Sequence, residues 1–213
     1  MSVTQAKTLT LGEVKQKLQL EEVLDPAFFP EWQGLTPNLR EADRELLDKL
    51  RSNFRALQEH SSHEEIVKMF SLAPLMVVAG LAEYPFIPRA EHIIEIDLSY
   101  ADEDDEVQLI RGKIDIIVSH EHLWQVIVET KRVQSNVMQA LPQTLTYMMA
   151  APKTEKPIFG LCTNGTDFVF VKMLRGETNQ YSLSEPFTMY RHQNDLYQVV
   201  TIMQQLRQIV QNP

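Results

Sequence analysis

A single cysteine, Cys162, stands in the 213 residues, so the chain can form neither an internal disulfide nor a cysteine cage for zinc. Its core must hold by burial alone. Glycine is scarce, seven in all, and no GxGxxG, GxxxxGKS or GxxxxGKT stretch occurs, so the backbone cradles that hold dinucleotides and triphosphates are missing. No GxSxG elbow or HExxH helix occurs either, which leaves serine- and zinc-based hydrolysis without support. Long apolar runs are lacking too: the longest, Leu72 to Leu81, is about half of the ~20 residues a bilayer crossing needs. The polar start, Met1 to Lys17, has no signal-peptide core. The expectation is a cytoplasmic protein with no membrane partner. Positive charge is the last shortage. Twenty basic against twenty-nine acidic residues leave a formal charge of -9, the wrong sign for gripping nucleic acid mainly by counterion release. Any nucleic-acid contact has to be local or metal-assisted.

What is present is an ordinary globular composition, 44% hydrophobic and 23% charged, which predicts one domain with an appendage. From Met1 to Arg40, Pro26, Pro30 and Pro37 surround an aromatic cluster of Phe28, Phe29 and Trp32, the pattern of a short helix and an irregular strap wrapping the domain. Leu47, Leu50, Phe54 and Leu57 recur at helical spacing between Glu41 and Glu59. That helix either packs internally or mediates self-association into a homodimer. A serine of the pair Ser61-Ser62, followed by Glu64 and Glu65, caps a second helix running to about Leu81, kinked or divided at Pro74.

The period then changes. Ile93 to Leu98, Val107 to Val118 and Leu123 to Lys131 are short and rich in β-branched residues, separated by the acidic run Asp102 to Glu106 and a polar turn ending at His122. They predict a three-strand meander. A helix from Ser135 to Ala150 follows, then strands over Ile158–Thr163, Asp167–Leu174 and Tyr181–Phe187, and a closing helix from Leu196. Asn164-Gly165 makes the turn between the first two of these strands. The order predicts a mixed sheet flanked by helices, an α/β fold.

Charged residues interrupt these strands where a core is expected. Strict alternation puts Glu129 and Lys131 side by side at the end of a strand apolar on both faces, where an unpaired charge costs several kcal/mol. Asp115 interrupts the apolar run Ile114 to Val118 in the same way. A hairpin centred near His122 brings Asp115 opposite Glu129, and two carboxylates at that distance repel unless a cation lies between them. Mg²⁺ meets the need, since it takes one or two carboxylates and keeps several waters. Asp115, Glu129 and the backbone carbonyl of Thr130 are the candidate ligands. With Lys131 adjacent, metal-bound water becomes a reasonable nucleophile for a phosphodiester. That is the chemistry of a nuclease.

Asp115, thirteen intervening residues and then Glu129-Thr130-Lys131 resemble the D…ExK signature of the PD-(D/E)XK nuclease superfamily. The context adds to the likeness: a glutamate-bearing helix, a three-strand meander ending in ExK, a helix directly after and a further strand. The segment Ile158 to Lys172 also resembles the N-terminal nuclease domain of type I restriction enzyme R subunits and their stand-alone relatives. The resemblance covers roughly Ser61 to Gln211. It implies a restriction endonuclease-like αβββαβ core over residues 61–213, with residues 1–60 left as an N-terminal helical extension. It further implies an Mg²⁺-dependent (or Mn²⁺-dependent) endonuclease acting on DNA in restriction or repair; sequence specificity would have to come from separate subunits or from loops. Asp115 and Glu129 would hold the metal and Lys131 would orient or activate water. A glutamate of the first core helix completes such sites, and Glu64 and Glu65 compete for that place, Glu64 favoured by its four-residue offset from Lys68. Gln143 and Tyr147 match the spacing of a supporting QxxxY element. The aspartate follows Gly112-Lys113-Ile114 and lacks the proline of the nominal motif.

Arg111, Lys113 and Arg132, with Lys131, form a local basic cluster suited to phosphates. The histidines His60, His63, His120 and His122 are read as solvated turn residues, Met148 and Met149 as core filler and Cys162 as a buried small hydrophobe. The rival reading is a catalytically inactive nuclease-like module that binds nucleic acid or partner proteins. A blander reading of the same residues makes Glu129 and Lys131 a structural ion pair at a strand end, with Asp115 exposed at the hairpin.

Overall fold

The computed structural model describes residues 2–60, 63–97, 108–120, 123–152 and 156–211. In chain order its elements are β1 (Ser2–Gln5), α1 (Leu11–Lys17), β2 (Leu20–Glu22), α2 (Glu41–Leu57), α3 (Glu64–Val67), α4 (Ala73–Val78), β3 (Ile87–Asp97), β4 (Gln108–His120) and β5 (Leu123–Thr130). There follow α5 (Leu141–Ala150), β6 (Ile158–Thr163), β7 (Asp167–Arg175), β8 (Asn179–Leu183), β9 (Phe187–Thr188) and α6 (Leu196–Gln211). The strands make one mixed sheet in the order β1-β4-β5-β6-β7-β8-β2, with β3 on β4 and β9 on β7. Helices flank it on both faces.

β3, β4 and β5 form an antiparallel meander, as the three β-branched runs predict. β6 lies parallel to β5, and a parallel neighbour needs a long crossover, which α5 supplies. β5 is therefore a central strand, the place its unbroken apolar run requires. The expected acidic run Asp102 to Glu106 and the turn at Glu121-His122 lie outside the described residues.

Two apolar layers hold the sheet. On one face Leu47, Leu50 and Phe54 of α2, Leu75 of α4 and Met203 and Leu206 of α6 pack with Val128, Leu161 and Phe168. On the other, Val14 of α1 and Leu145 and Met148 of α5 pack with Ile114, Val169 and Val171. The apolar stripe of α2 that suggested self-association is thus spent inside the chain, and a homodimer through that face would have to pull it from the core. Phe54→Ala removes a side chain that is 1% exposed, and is expected to lower unfolding stability by about 3–5 kcal/mol in urea melts. Gly165, in the turn between β6 and β7, has a φ of +89° and faces the same ring: a Cβ there would lie 2.4 Å from Phe54 Cζ. Both its backbone angle and its neighbour demand glycine.

The helix expected from Ser61 to Leu81 is divided. Ser61 and Ser62 lie outside the described residues, and α3 starts after His63 without a side-chain cap. A π-helical turn, Lys68–Leu72, separates α3 from α4, and Pro74 sits at the start of α4, where its missing N–H is tolerated. The first sixty residues, expected as a helical extension, contribute β1 parallel to β4 and β2 parallel to β8, besides α1 and α2. They share both apolar layers with the rest of the chain, so packing does not break at residue 60. The aromatic strap does wrap the sheet: Phe29 stacks on Trp32 at 4.5 Å, and Trp32 meets Phe159 and Phe170. Among the described residues no helix is long and apolar enough to cross a membrane.

Candidate active site

One edge of β4 is taken by β3 over Leu109–Ser119, so β1 and β5 share the other. β1 pairs it at Gln108–Arg111 and β5 at Ile116–His120. Between them the edge from Gly112 to Asp115 is left open. A cavity of about 500 Å³ forms at this gap, lined by Glu64, Asp115, Glu129, Lys131, Gln143 and Tyr147 on its inner side and by Gln5, Lys7, Ile93, Arg111, Gly112 and Lys113 along β1, β3 and β4.

Alternation along β4 breaks here. Ile114 belongs to one apolar layer and Ile116 packs against the other, although they are two residues apart. Opposite Asp115, Glu91 of β3 takes a φ of 55° and drops out of the ladder. The pairing Ile116–Val128, extended by one step, sets Asp115 opposite Glu129, as the hairpin arithmetic predicts.

Asp115 is buried, and its carboxylate is fully engaged. One oxygen accepts from Lys68 Nζ at 2.7 Å. The other accepts from the Thr130 amide at 2.8 Å and the Thr130 hydroxyl at 2.7 Å. Thr130, whose carbonyl is the expected metal ligand, is wholly buried, and its amide and hydroxyl orient Asp115 as two donors. Lys68 was not foreseen from sequence. Burial pulls its ammonium toward neutrality, but the hydrogen bond and charge of Asp115, helped by Glu64 and Glu129, outweigh this and hold its pKa above the usual lysine value.

Glu129 is 3% exposed. One of its oxygens accepts from Lys131 Nζ at 3.0 Å, while the buried Oε2 has no hydrogen-bond partner. Such an orphaned acceptor is costly unless a cation or water meets it. Desolvation first, then the negative charge of Asp115, drive its carboxyl pKa up to about 8, and the Lys131 ammonium offsets only part of this. Lys131 in turn donates to Gln143 Oε1 at 2.6 Å, and Gln143 Nε2 donates to the Tyr147 hydroxyl at 3.1 Å. The QxxxY spacing thus becomes a relay that fixes the amine beside the carboxylate. Tyr147 is pushed up to about 12 by burial, then by the Glu129 charge, so it stays a neutral partner at physiological pH.

The two competing glutamates separate clearly. Glu64 lines the cavity and its charge is felt by both Lys68 and Glu129. Glu65 is exposed and lines no part of the cavity. Among the predicted phosphate-binding residues, Arg111 and Lys113 line the rim, each in an exposed ion pair, with Glu95 and Glu91 respectively. Arg132 is exposed and lines no part of the cavity. His60 and His63 stay at the surface, the side chain of His120 is not described and His122 lies outside the described residues. Burial pushes the Cys162 thiol up to about 12, which suits a structural residue.

Among the described residues no group of three or more His, Cys, Asp or Glu side chains is arranged to hold a metal ion. Two carboxylates are fewer than such a group, and they suit an ion that takes only one or two protein ligands. Two carboxylates from neighbouring strands, one with a free buried oxygen, facing an open cavity, fit a divalent cation that keeps most of its waters. No protein-family model matches this chain, and no curated protein matches it.

Proposed function

We propose that this chain is an Mg²⁺-dependent endonuclease that hydrolyses DNA phosphodiester bonds, built on a restriction endonuclease-like αβββαβ core. The order α3, β3, β4, β5, α5, β6 supports the core. The observation that carries the reaction is the convergence of Asp115 and Glu129 on one cavity, with the Glu129 Oε2 orphaned and Lys131 held alongside by Gln143. Asp115 and Glu129 would hold Mg²⁺ (or Mn²⁺), with Glu64 nearby at the cavity wall. When bound, the cation supplies Lewis acidity toward a phosphoryl oxygen and makes water more acidic.

The protein's own residues do the rest. Thr130 locks the Asp115 carboxylate in one orientation with two hydrogen bonds. The Gln143–Tyr147 pair keeps the Lys131 ammonium at the cavity, where it orients water and offsets negative charge building on the phosphate. Lys68 neutralises Asp115 while the cation is absent, which limits the repulsion between the two carboxylates. The setting is restriction or repair, with sequence specificity supplied by separate subunits or by loops of this chain.

Lys68 also favours a second reading. Its ammonium already sits on Asp115, as in a nuclease-like module that has exchanged catalysis for binding nucleic acid or partner proteins. One experiment separates the two. The purified protein is expected to nick or cut plasmid and linear DNA with Mg²⁺ or Mn²⁺ and to lose all cleavage in EDTA. Absence of cleavage under every metal, with DNA binding intact, would establish the binding module instead.

A further inference from the structure

The resemblance to nucleases leaves the first sixty residues unmatched, yet two of them line the cavity. Gln5 makes the last pair of β1, with Arg111. The chain then turns through a 3-10 turn, Ala6–Thr8, closed by the Thr8 hydroxyl donating to the Gln5 carbonyl at 2.8 Å. Ala6 is wholly buried, and the space it occupies exists because residue 112 is glycine. A Cβ on Gly112 would lie 2.5 Å from the Tyr147 ring and 3.0 Å from Ala6 Cβ. Ala6, Gly112 and Tyr147 therefore clamp the turn against the same helix face that holds Gln143 and Lys131. Lys7, next in the turn, is exposed and lines the cavity rim.

Lys7, in the turn after β1, and Arg111 and Lys113 of β4 line this opening together with Glu64, Asp115, Glu129 and Lys131. Arg111 and Lys113 are partly neutralised by Glu95 and Glu91, whereas no ion pair to Lys7 is found among the described residues. In a chain of net charge -9, three cations, Lys7, Arg111 and Lys113, lining one opening offer a polyanion a local point of contact.

We propose that Lys7 binds a backbone phosphate of the DNA strand entering the cavity, with the Gln5 side chain hydrogen-bonding beside it, so that the N-terminal strand is one wall of the substrate cleft. This rests on the nuclease reading of the cavity and extends it to residues outside the likeness. Lysine serves here as a point charge for phosphate. Its contact is independent of sequence, and a neutralised phosphate contributes about 0.9 to the slope of log affinity against log salt for duplex DNA.

The test uses the full-length protein and a fluorescein-labelled DNA duplex, with anisotropy titrations at several salt concentrations in Ca²⁺ to slow cleavage, and cleavage assays in Mg²⁺ alongside. Lys7→Gln is expected to weaken binding roughly 5–10-fold near 0.1 M salt and to flatten the salt slope by about one. Lys7→Arg restores both, and Lys49→Gln, on the exposed side of α2 and away from the cavity, changes neither. Because Lys7 is exposed, its melting temperature should match wild type, which separates lost contact from lost fold. If wild type binds and cuts DNA while Lys7→Gln keeps its affinity and slope, the inference is overturned and the nuclease reading stands. If wild type neither binds nor cuts, both fall together.

Discussion

Asp115→Asn is expected to reduce Mg²⁺-dependent DNA cleavage on the order of 10³-fold, at the upper end of what loss of one charge-stabilising group costs. The size of the effect follows from what the substitution spares. Asparagine keeps the shape of aspartate and one acceptor oxygen, so the Thr130 amide and hydroxyl still have a partner. It removes the negative charge opposite Glu129 across the β4–β5 register, and with it one of the two carboxylates assigned to the cation. It also turns an acceptor toward Lys68 into an uncharged amide, leaving an ammonium without its counter-charge. Cation affinity should therefore fall with activity, read by Mn²⁺ titration calorimetry. Lys131→Met offers the contrast: it removes the amine from Glu129 and Gln143 without removing a carboxylate, so cleavage should collapse while Mn²⁺ binding persists. Retention of near wild-type cleavage by Asp115→Asn would rule out the assigned site.

Glu129→Gln should stabilise the metal-free protein above neutral pH. In an unfolded chain this carboxyl ionises near 4.5, whereas in the fold its pKa is raised to about 8. Below pH 4.5 the group is protonated in both states and carries no penalty. As pH rises from there toward 8, the unfolded chain releases its proton more readily than the folded one, so stability falls through this window, and the loss is complete above it. Glutamine fills the same space with no charge to desolvate. In EDTA, wild-type melting temperature attributable to this group should decline between pH 5 and pH 8, and Glu129→Gln should remove that decline. Each kcal/mol recovered is worth roughly 2–4 °C for a chain of this size. Adding Mg²⁺ at pH 8 should raise the wild-type melting temperature and leave that of Glu129→Gln nearly unchanged. Identical pH profiles for the two chains would show that the buried carboxyl carries no such strain.

These two carboxylates were legible in the sequence for a simple reason. A hairpin converts sequence distance into register, so Asp115 and Glu129 meet once the turn is placed near His122. Gln143 and Tyr147 were marked only by their resemblance to a QxxxY element, and residues four apart share a helix face, which brings both to the cavity. Lys68 was not, because its contact with Asp115 spans 47 positions and no local pattern announces it. Glu64 and Glu65 are adjacent, and only the four-residue offset from Lys68 favoured Glu64 in the sequence. About 100° of helical rotation separates them, and the cavity is lined by Glu64 and not by Glu65. β1 and β2 escaped notice because strands of four and three residues show no alternation, and their parallel partners lie far along the chain.

The amino-acid sequence by itself determined the meander, the central strand, the crossover helix and the two acidic groups that meet, since each depends on periodicity or on contacts between neighbours in the chain. Tertiary structure alone decided that the apolar face of α2 is used internally, that Lys68 covers Asp115, that Thr130 orients the carboxylate, and that Lys7 stands at the rim. Those outcomes depend on which distant surfaces are pressed together when the two apolar layers close on the sheet, and that choice is made by burial over the whole chain rather than by any local rule.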